Sequence, residues 1–399
     1  MMRTLTPQEI KQQAEKDYPL LRTIRHHLHS HPELSFQEKE TQRYIAGRLQ
    51  ESGIEEITEV AGTGLLAVVK GAGEGPVVVL RADTDALPIT EENDVPYRSQ
   101  KEGVMHACGH DVHTTCLLGS GRLLNLWREH WRGTVLLLFQ PAEERLPGGA
   151  KMIVDSGILD TYHPSLVIGQ HVDPTLTAGT VGYRPGKYMA STDELYLTVR
   201  GKGGHAALPA HVTNTPYVAA GILTALEDYV AESAPKEFPS VLRFGKVTAA
   251  GSTNIIPPEV SMEGTFRTFD EAWRERAHRQ IREIAAAIAR ENDAREEFVI
   301  KKGYPVLVND EQAVEQAVAF SGEFLGRENV VSLDLRMTAE DFAYYSHHYP
   351  SLFYRLGVTH PGTQEPYPLH SPRFDIHEPV LSTGTAHMVW LTLSFLNTL

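Results

Sequence analysis

Two helical stretches open the pattern of apolar and polar positions. From Tyr18 to about Gly53, Leu21, Ile24 and Leu28, then Tyr44, Ile45 and Leu49, recur at the spacing of helices that bury one face, and HPELS at 31–35 separates them. The next apolar runs differ in kind. PVVVLRA at 76–82, GTVLLLFQ at 133–140 and SLVIGQ at 165–170 are short, nearly unbroken and rich in Val, Leu and Ile, as strands covered on both faces are. Between them TTCLLGSGRLLNLW at 114–127 reads as a helix in which Gly119, Ser120 and Gly121 allow close packing. Such alternation predicts an α/β sheet.

Near residue 188 the pattern changes. ELYLTVRG at 194–201 alternates like a half-exposed strand, and helical PYVAAGILTALEDYV follows at 216–230. Strand-like VLRFGKVTA (241–249) and VSMEGTFRTF (260–269) come next, then a helix with Ile281, Ile284, Ala285 and Ile288 on one stripe, then EEFVIKKG at 296–303. The order β-α-β-β-α-β is that of a split βαβ, ferredoxin-like unit. SLFYRLGV at 351–358 reads as a strand returning to the first sheet. The expected fold is therefore α/β, a mixed-sheet domain over 1–187 and 304–399 with a smaller α+β (ferredoxin-like) domain inserted at 188–303.

Composition narrows the partners. Lys plus Arg number 37 against 51 Asp plus Glu, and the net charge of -14 repels phosphate backbones and anionic lipid, so neither nucleic acid nor membrane is expected. The stretch MMRTLTPQEIKQQAEKDY lacks the apolar segment of a secretory signal, which points to the cytoplasm. Cys108 and Cys116 are then not expected to form a disulfide.

Candidate chemistry gathers where the apolar runs stop. VVVLRA leads into Asp83 and Asp85, VLLLFQ into PAEE with Glu143 and Glu144, and LVIGQ into His171. Ligands of open α/β sheets bind outside the carboxyl ends of the strands, so these side chains have a route to one crevice. MHACGHDVHTT at 105–115 adds His106, Cys108, His110 and His113. If that segment is extended, Cys108 and His110 point the same way, with Asp111 capping the helix that follows, and Gly109 lets the chain turn tightly between the two. Thiolate, imidazole and carboxylate together suit Zn, Mn, Co or Ni better than Mg or Ca. Of the two adjacent glutamates, one is best tied to a cation and the other left to handle protons, the division that metal-assisted hydrolysis requires. Blander readings compete: a reactive thiol at Cys108, a buried histidine-rich stretch, and packing or solubility for His26, His27, His29, His31, His347 and His348.

The stretches HLHSHPELSFQE, LRADTDALP, HACGHDVH, FQPAEE with GGAKMI, GQHVDP, GKGGHAALP, NIIPPEVSMEGTFR, TAEDFAYY and LHSPRFDIHE run from 27 to 378. In type and order they resemble the M20 metallopeptidase family, in particular its N-acyl-amino-acid amidohydrolases (hippurate and auxin-conjugate hydrolases among them). The resemblance implies two divalent ions, with Cys108 as bridging thiolate and His110, Glu144, His171 and His370 as the other ligands. It makes Glu143 the general acid/base acting on a metal-bridged hydroxide, and Asp85 a carboxylate that orients the site. It makes the inserted domain a lid and dimerisation domain, through which a homodimer or larger homo-oligomer forms. There His205 stabilises the oxyanion, and Asn254 and Arg267 bind the substrate carboxylate. The implied substrate is a small N-acyl amino acid; a carboxypeptidase or dipeptidase on short peptides, or a metal-binding protein without catalysis, are the alternatives. Asn214 departs from the family, whose members usually carry Asp there. Asp83 has no assigned part, and His106, His113 and His377 match no ligand position.

Overall fold

Strands Thr134–Gln140, Val77–Asp83, Leu166–Thr177 and Ser351–Thr359 lie side by side and parallel. Their residues are buried almost without interruption, which is why both faces of this part of the sheet must be covered. Gly64–Lys70 and Ile57–Val60 extend one edge antiparallel, and Val181–Tyr183 with Val330–Ser332 extend the other, to give an eight-stranded mixed sheet. The computed structural model describes residues 5–399; residues 1–4, with which the N-terminal stretch and the expected 1–187 segment begin, lie outside them.

Helices Pro7–Ser30, His110–Leu126 and Val380–Thr398 pack against one another and bury their apolar sides in the main core. The first is closed at its start by a capping box, Thr6 accepting from the Glu9 N–H while the Glu9 carboxylate accepts from Thr6. Close helix packing needs Gly119, where a Cβ would stand 2.6 Å from Leu21 Cδ2 and 2.8 Å from Thr385 Cγ2. Any larger residue there would force the helices apart.

The chain divides into two compact units, one comprising residues up to Gly186 with Val308–Asp334 and Asp341–Leu399, the other Lys187–Leu307 with Leu335–Glu340. In the second unit the strand order is Val241–Ala249, Glu259–Arg267, Asp193–Arg200, Arg295–Lys302, antiparallel throughout. Leu195, Leu197 and Val199 point into a core completed by helices Thr215–Ser233 and Glu271–Glu291. This is the ferredoxin-like arrangement. Asn214 caps the first of these helices, its side chain accepting from the Tyr217 N–H at 3.4 Å, which is what an Asp would do there. Beneath the second, the buried Arg274 donates to both Asp193 oxygens, at 2.9 and 2.6 Å. No described helix is long and apolar enough to cross a membrane.

Candidate metal centre

The parallel strands are in register so that their chemistry arrives at one level: Asp83 stands opposite Gln140, Arg81 opposite Gly169, and Arg355 opposite His171. One expectation is corrected here. His171 does not end its strand, which runs on to Thr177; it lies within the strand, near the level where Val77–Asp83 stops, while Ser351–Thr359 continues beside it.

The stretch 105–115 also differs from an extended segment. Cys108 lies in a turn, Gly109 takes a left-handed φ of 84° as helix N-cap, and His110 is the first helical residue. A Cβ on Gly109 would stand 2.5 Å from Val172 Cγ2, so the turn passes close to the strand that carries His171. Asp111 is no cap: it sits in the first turn, buried, and accepts from Arg25 Nε at 3.0 Å and His29 Nδ1 at 2.8 Å. His29, expected to serve only packing or solubility, is thus a buried partner of the helix start.

The acidic pair is held by its backbone. Asp85, fully buried, accepts the Glu143 N–H on Oδ1 and the Glu144 N–H on Oδ2, both at 3.0 Å, and the Ser35 hydroxyl at 2.7 Å. Glu38 accepts the N–H of Ala142 at 2.8 Å, where the chain turns through a φ of 54°. Burial works against the ionised Asp85, but hydrogen bonds from His110, Ser35 and the Glu144 N–H hold its pKa below the usual carboxylate value. Ser35 and Glu38 belong to the quoted stretch HLHSHPELSFQE, yet no local pattern marks them as holding a loop about a hundred residues away.

Five ligand candidates face one another across this frame. His110 Nδ1 donates to the Asp85 carbonyl at 2.8 Å, which turns Nε2 away from it; Nε2 is buried and has no hydrogen-bond partner. Glu144 Oε1, 3.9 Å from it, is likewise buried and without one. His370 Nε2, on a half-exposed ring, lies 3.3 Å from the same oxygen. His171 Nδ1 donates to the Val172 carbonyl at 2.8 Å and so turns Nε2 to Cys108 Sγ, 3.5 Å away. Cys108 is common to two groups whose ligand atoms all lie within 4.8 Å of one another, one with His110 and His171, the other with Glu144 and His370. Glu143, His110 and Glu144 form a further such group.

Carboxylates dominate the electrostatics at Cys108 and His110. Burial, then Glu144, Glu143 and Asp83, push the Cys108 thiol well above its ordinary pKa. Burial pulls His110 down, but Asp83, Asp85 and Glu144 lift it to about 10. Burial, then Arg355 and His113, push the His171 pKa well below its ordinary value. An excess of carboxylate around a thiol and a histidine, with two buried polar atoms lacking partners, is the setting a cation completes. Sulfur, imidazole nitrogen and carboxylate oxygen form a donor set that suits divalent ions.

His113, also near, is already committed: Nδ1 donates to Asp83 Oδ1 at 2.6 Å and Nε2 accepts the Val172 N–H at 2.9 Å. It is a strut between two strands and offers no lone pair to a metal. Asp83 is clasped in turn by Arg81, at 2.6 Å on Oδ2. His205, Asn254 and Arg267 belong to the second unit. There His205 pairs with Ile255 in a two-residue ladder, and the Ala206 N–H donates to the Asn254 carbonyl at 2.9 Å. Arg267 donates to the Met337 carbonyl at 3.0 Å.

Known proteins share this plan along the chain. An N-acetylcysteine deacetylase of Bacillus subtilis (strain 168) is 37% identical over 381 residues, 94% of this chain and 97% of its own. An N-acyl-L-amino acid amidohydrolase of Geobacillus stearothermophilus is 38% identical over 305 residues, 76% of this chain and 82% of its own. The crystal structure of Bacillus subtilis YXEP, described as a dinuclear metal binding peptidase from the M20 family, superposes with a TM-score of 0.81 at 34% identity, covering 96% of this chain and 100% of that one. The profile of peptidase family M20/M25/M40 matches residues 79–392, which take in Asp83 and Asp85, the Cys108 turn, the Glu143–Glu144 pair, His171 and His370, and the chain belongs to that family.

Proposed function

We propose that this chain hydrolyses the amide bond of N-acyl amino acids, N-acetyl or benzoyl among them, to a carboxylic acid and a free amino acid. Cys108, His110, Glu144, His171 and His370 would hold two divalent ions, drawn from Zn, Mn, Co and Ni. The observation that carries this reading is the pair of ligand groups sharing Cys108 beside the buried, unpartnered His110 Nε2 and Glu144 Oε1. The names of the two relatives, a deacetylase and an amidohydrolase, support the substrate class.

Divalent ions, when bound, supply Lewis acidity for the scissile carbonyl and make water a better nucleophile at neutral pH. Glu143 takes the proton of the attacking water and returns it to the departing amine. Asp85 keeps that carboxylate in place through the backbone N–H groups of Glu143 and Glu144. His205 steadies the oxyanion. Its Nδ1 accepts the Ala207 N–H at 3.1 Å, so the neutral ring carries its proton on Nε2 and presents a donor. Asn254 and Arg267 take the substrate carboxylate, for which the guanidinium fork is suited.

The test is an assay after chelation and reconstitution with Mn or Zn, over N-acetyl and benzoyl amino acids and dipeptides. Activity should vanish on chelation, return with metal, and prefer the acyl amino acids. Glu143→Gln should lose about 100- to 10,000-fold in kcat with both metals retained. Turnover of dipeptides alone would make the enzyme a peptidase, and turnover that survives chelation would exclude the metal reading.

We further propose self-association through the second unit, supported by the exposed Tyr217 (68%) on helix Thr215–Ser233 and Val247 (54%) on the edge strand Val241–Ala249. A monomeric sedimentation coefficient at micromolar protein would refute it. The lid function of this unit, the inserted-domain bounds 188–303, and residence in the cytoplasm, where the buried and unbonded Cys108 and Cys116 would stay reduced, stand with this reading.

A further inference from the structure

Arg25 lies far from the ligands in sequence and is 1% exposed. Its guanidinium reaches two segments at once. Nε donates to Asp111 Oδ2 at 3.0 Å, in the first turn of the helix whose first residue is His110. NH2 donates to Asp375 Oδ1 at 2.7 Å, in the segment that follows His370. Glu378 lies at 3.5 Å from NH1. The ring of Tyr97 lies 4.9 Å beneath the guanidinium, and the Tyr97 hydroxyl donates to the other Asp375 oxygen at 2.8 Å.

Each segment has other ties as well, His29 donating to Asp111 at 2.8 Å and Asn93 to the Phe374 carbonyl at 3.1 Å, but Arg25 grips both segments with one side chain. His370 stands on a left-handed φ of 64° in a stretch without helix or strand, its N–H bonded to the Ala107 carbonyl at 2.8 Å. A half-exposed ring on such a stretch owes its position to whatever anchors the chain beside it. A fork that grips one carboxylate on each side suits that task, because its plane fixes the angle as well as the distance. A buried arginine also costs desolvation, which the facing carboxylates must offset, so each partner of Arg25 is needed.

We propose that Arg25, acting through Asp111 and Asp375, is a positioning residue that sets the spacing of His110 and His370 and so the affinity of the metal pair. This rests on the proposed ligand set. Arg25 touches neither ligand.

Metal affinity of the folded protein, measured by calorimetric titration of Mn or Zn and by chelator competition well below the melting temperature, is the readout. Arg25→Met and Asp375→Asn should each weaken the weaker-bound ion about 10- to 100-fold, the range for partners that orient ligands from behind. Arg25→Lys should recover only part of the loss, since an ammonium lacks the fork. As a control for stability alone, Arg274→Met removes the buried arginine of the second unit; it should lower the melting temperature and leave metal affinity unchanged. Should Arg25→Met fail to fold, Asp375→Asn, which leaves the Arg25–Asp111 contact in place, carries the test. Wild-type affinity in either folded variant overturns the inference. A wild-type protein that binds no metal overturns the ligand set beneath it instead.

Discussion

Asp85 offers the sharpest perturbation of the centre, because Asp85→Asn changes one atom and almost no volume. Its two oxygens accept the N–H groups of Glu143 and Glu144 and the Ser35 hydroxyl, and Oδ1 lies 3.3 Å from His110 Nδ1. An amide offers one oxygen and one NH2, so either rotamer sets a donor against at least one buried donor. Leaving one such N–H unsatisfied costs about 1–3 kcal/mol, and losing charge on the acceptor adds to it. The loop at Glu143 would relieve the conflict by moving, and a displacement of about 1 Å at a reacting group costs on the order of 100-fold in rate. The expectation is a kcat at least about 100-fold lower, with a loss of roughly 1–3 kcal/mol in urea unfolding. Steady-state kinetics with metal content measured on the same sample would check this. Retention of kcat within about threefold, with both metals bound, would show that the Asp85 carboxylate does not place the acidic pair.

Two further outcomes are expected. Gly109→Ala should lower stability by about 1–3 kcal/mol and weaken metal binding, because the φ of 84° disfavours a side chain and a Cβ meets Val172 at 2.5 Å; wild-type values by thermal unfolding and metal titration would refute the packing argument. At His29 burial lowers the pKa, but hydrogen bonds to Asp111 and Glu91 lift it to about 9, above the ordinary value near 6.5, so its stabilisation is complete below about pH 6.5 and is lost as pH rises through about 9. Urea unfolding across that window should show wild type losing on the order of 3 kcal/mol relative to His29→Gln, and a constant difference would contradict it.

How much of this was legible in the sequence depends on how local its cause is. The strands at 77–83 and 134–140, and the ferredoxin-like unit, follow from runs and alternations a few residues long, and the structure has them almost where the pattern puts them. The length of the strand through His171 did not follow, because LVIGQHVDPTLT loses its apolar character after Val172 and is held as a strand by its neighbour, with Thr177 paired to Thr359. The tight turn at Gly109 between Cys108 and His110 was legible from the glycine itself, and the structure has it at a left-handed φ of 84°, whereas the alternative of an extended segment fails there.

The second ring of residues was the least legible part. In RHHLHSH nothing local separates His29, buried between two carboxylates, from His27, stacked on Tyr44 near the surface. The distinction is made by Asp111 and Glu91, 82 and 62 residues away, and Arg25 finds Asp375 across 350. Ligands can be picked out by type, since few side chains bind a divalent ion. The residues that orient them can be almost any donor or acceptor, selected only by where the fold delivers them. His113 makes the point most directly: it is a good ligand by type, three residues after His110 and so on nearly the same helix face, and the fold spends both its nitrogens on Asp83 and Val172. What excludes it from the metal is therefore the register of two strands, a property that no single stretch of the chain contains.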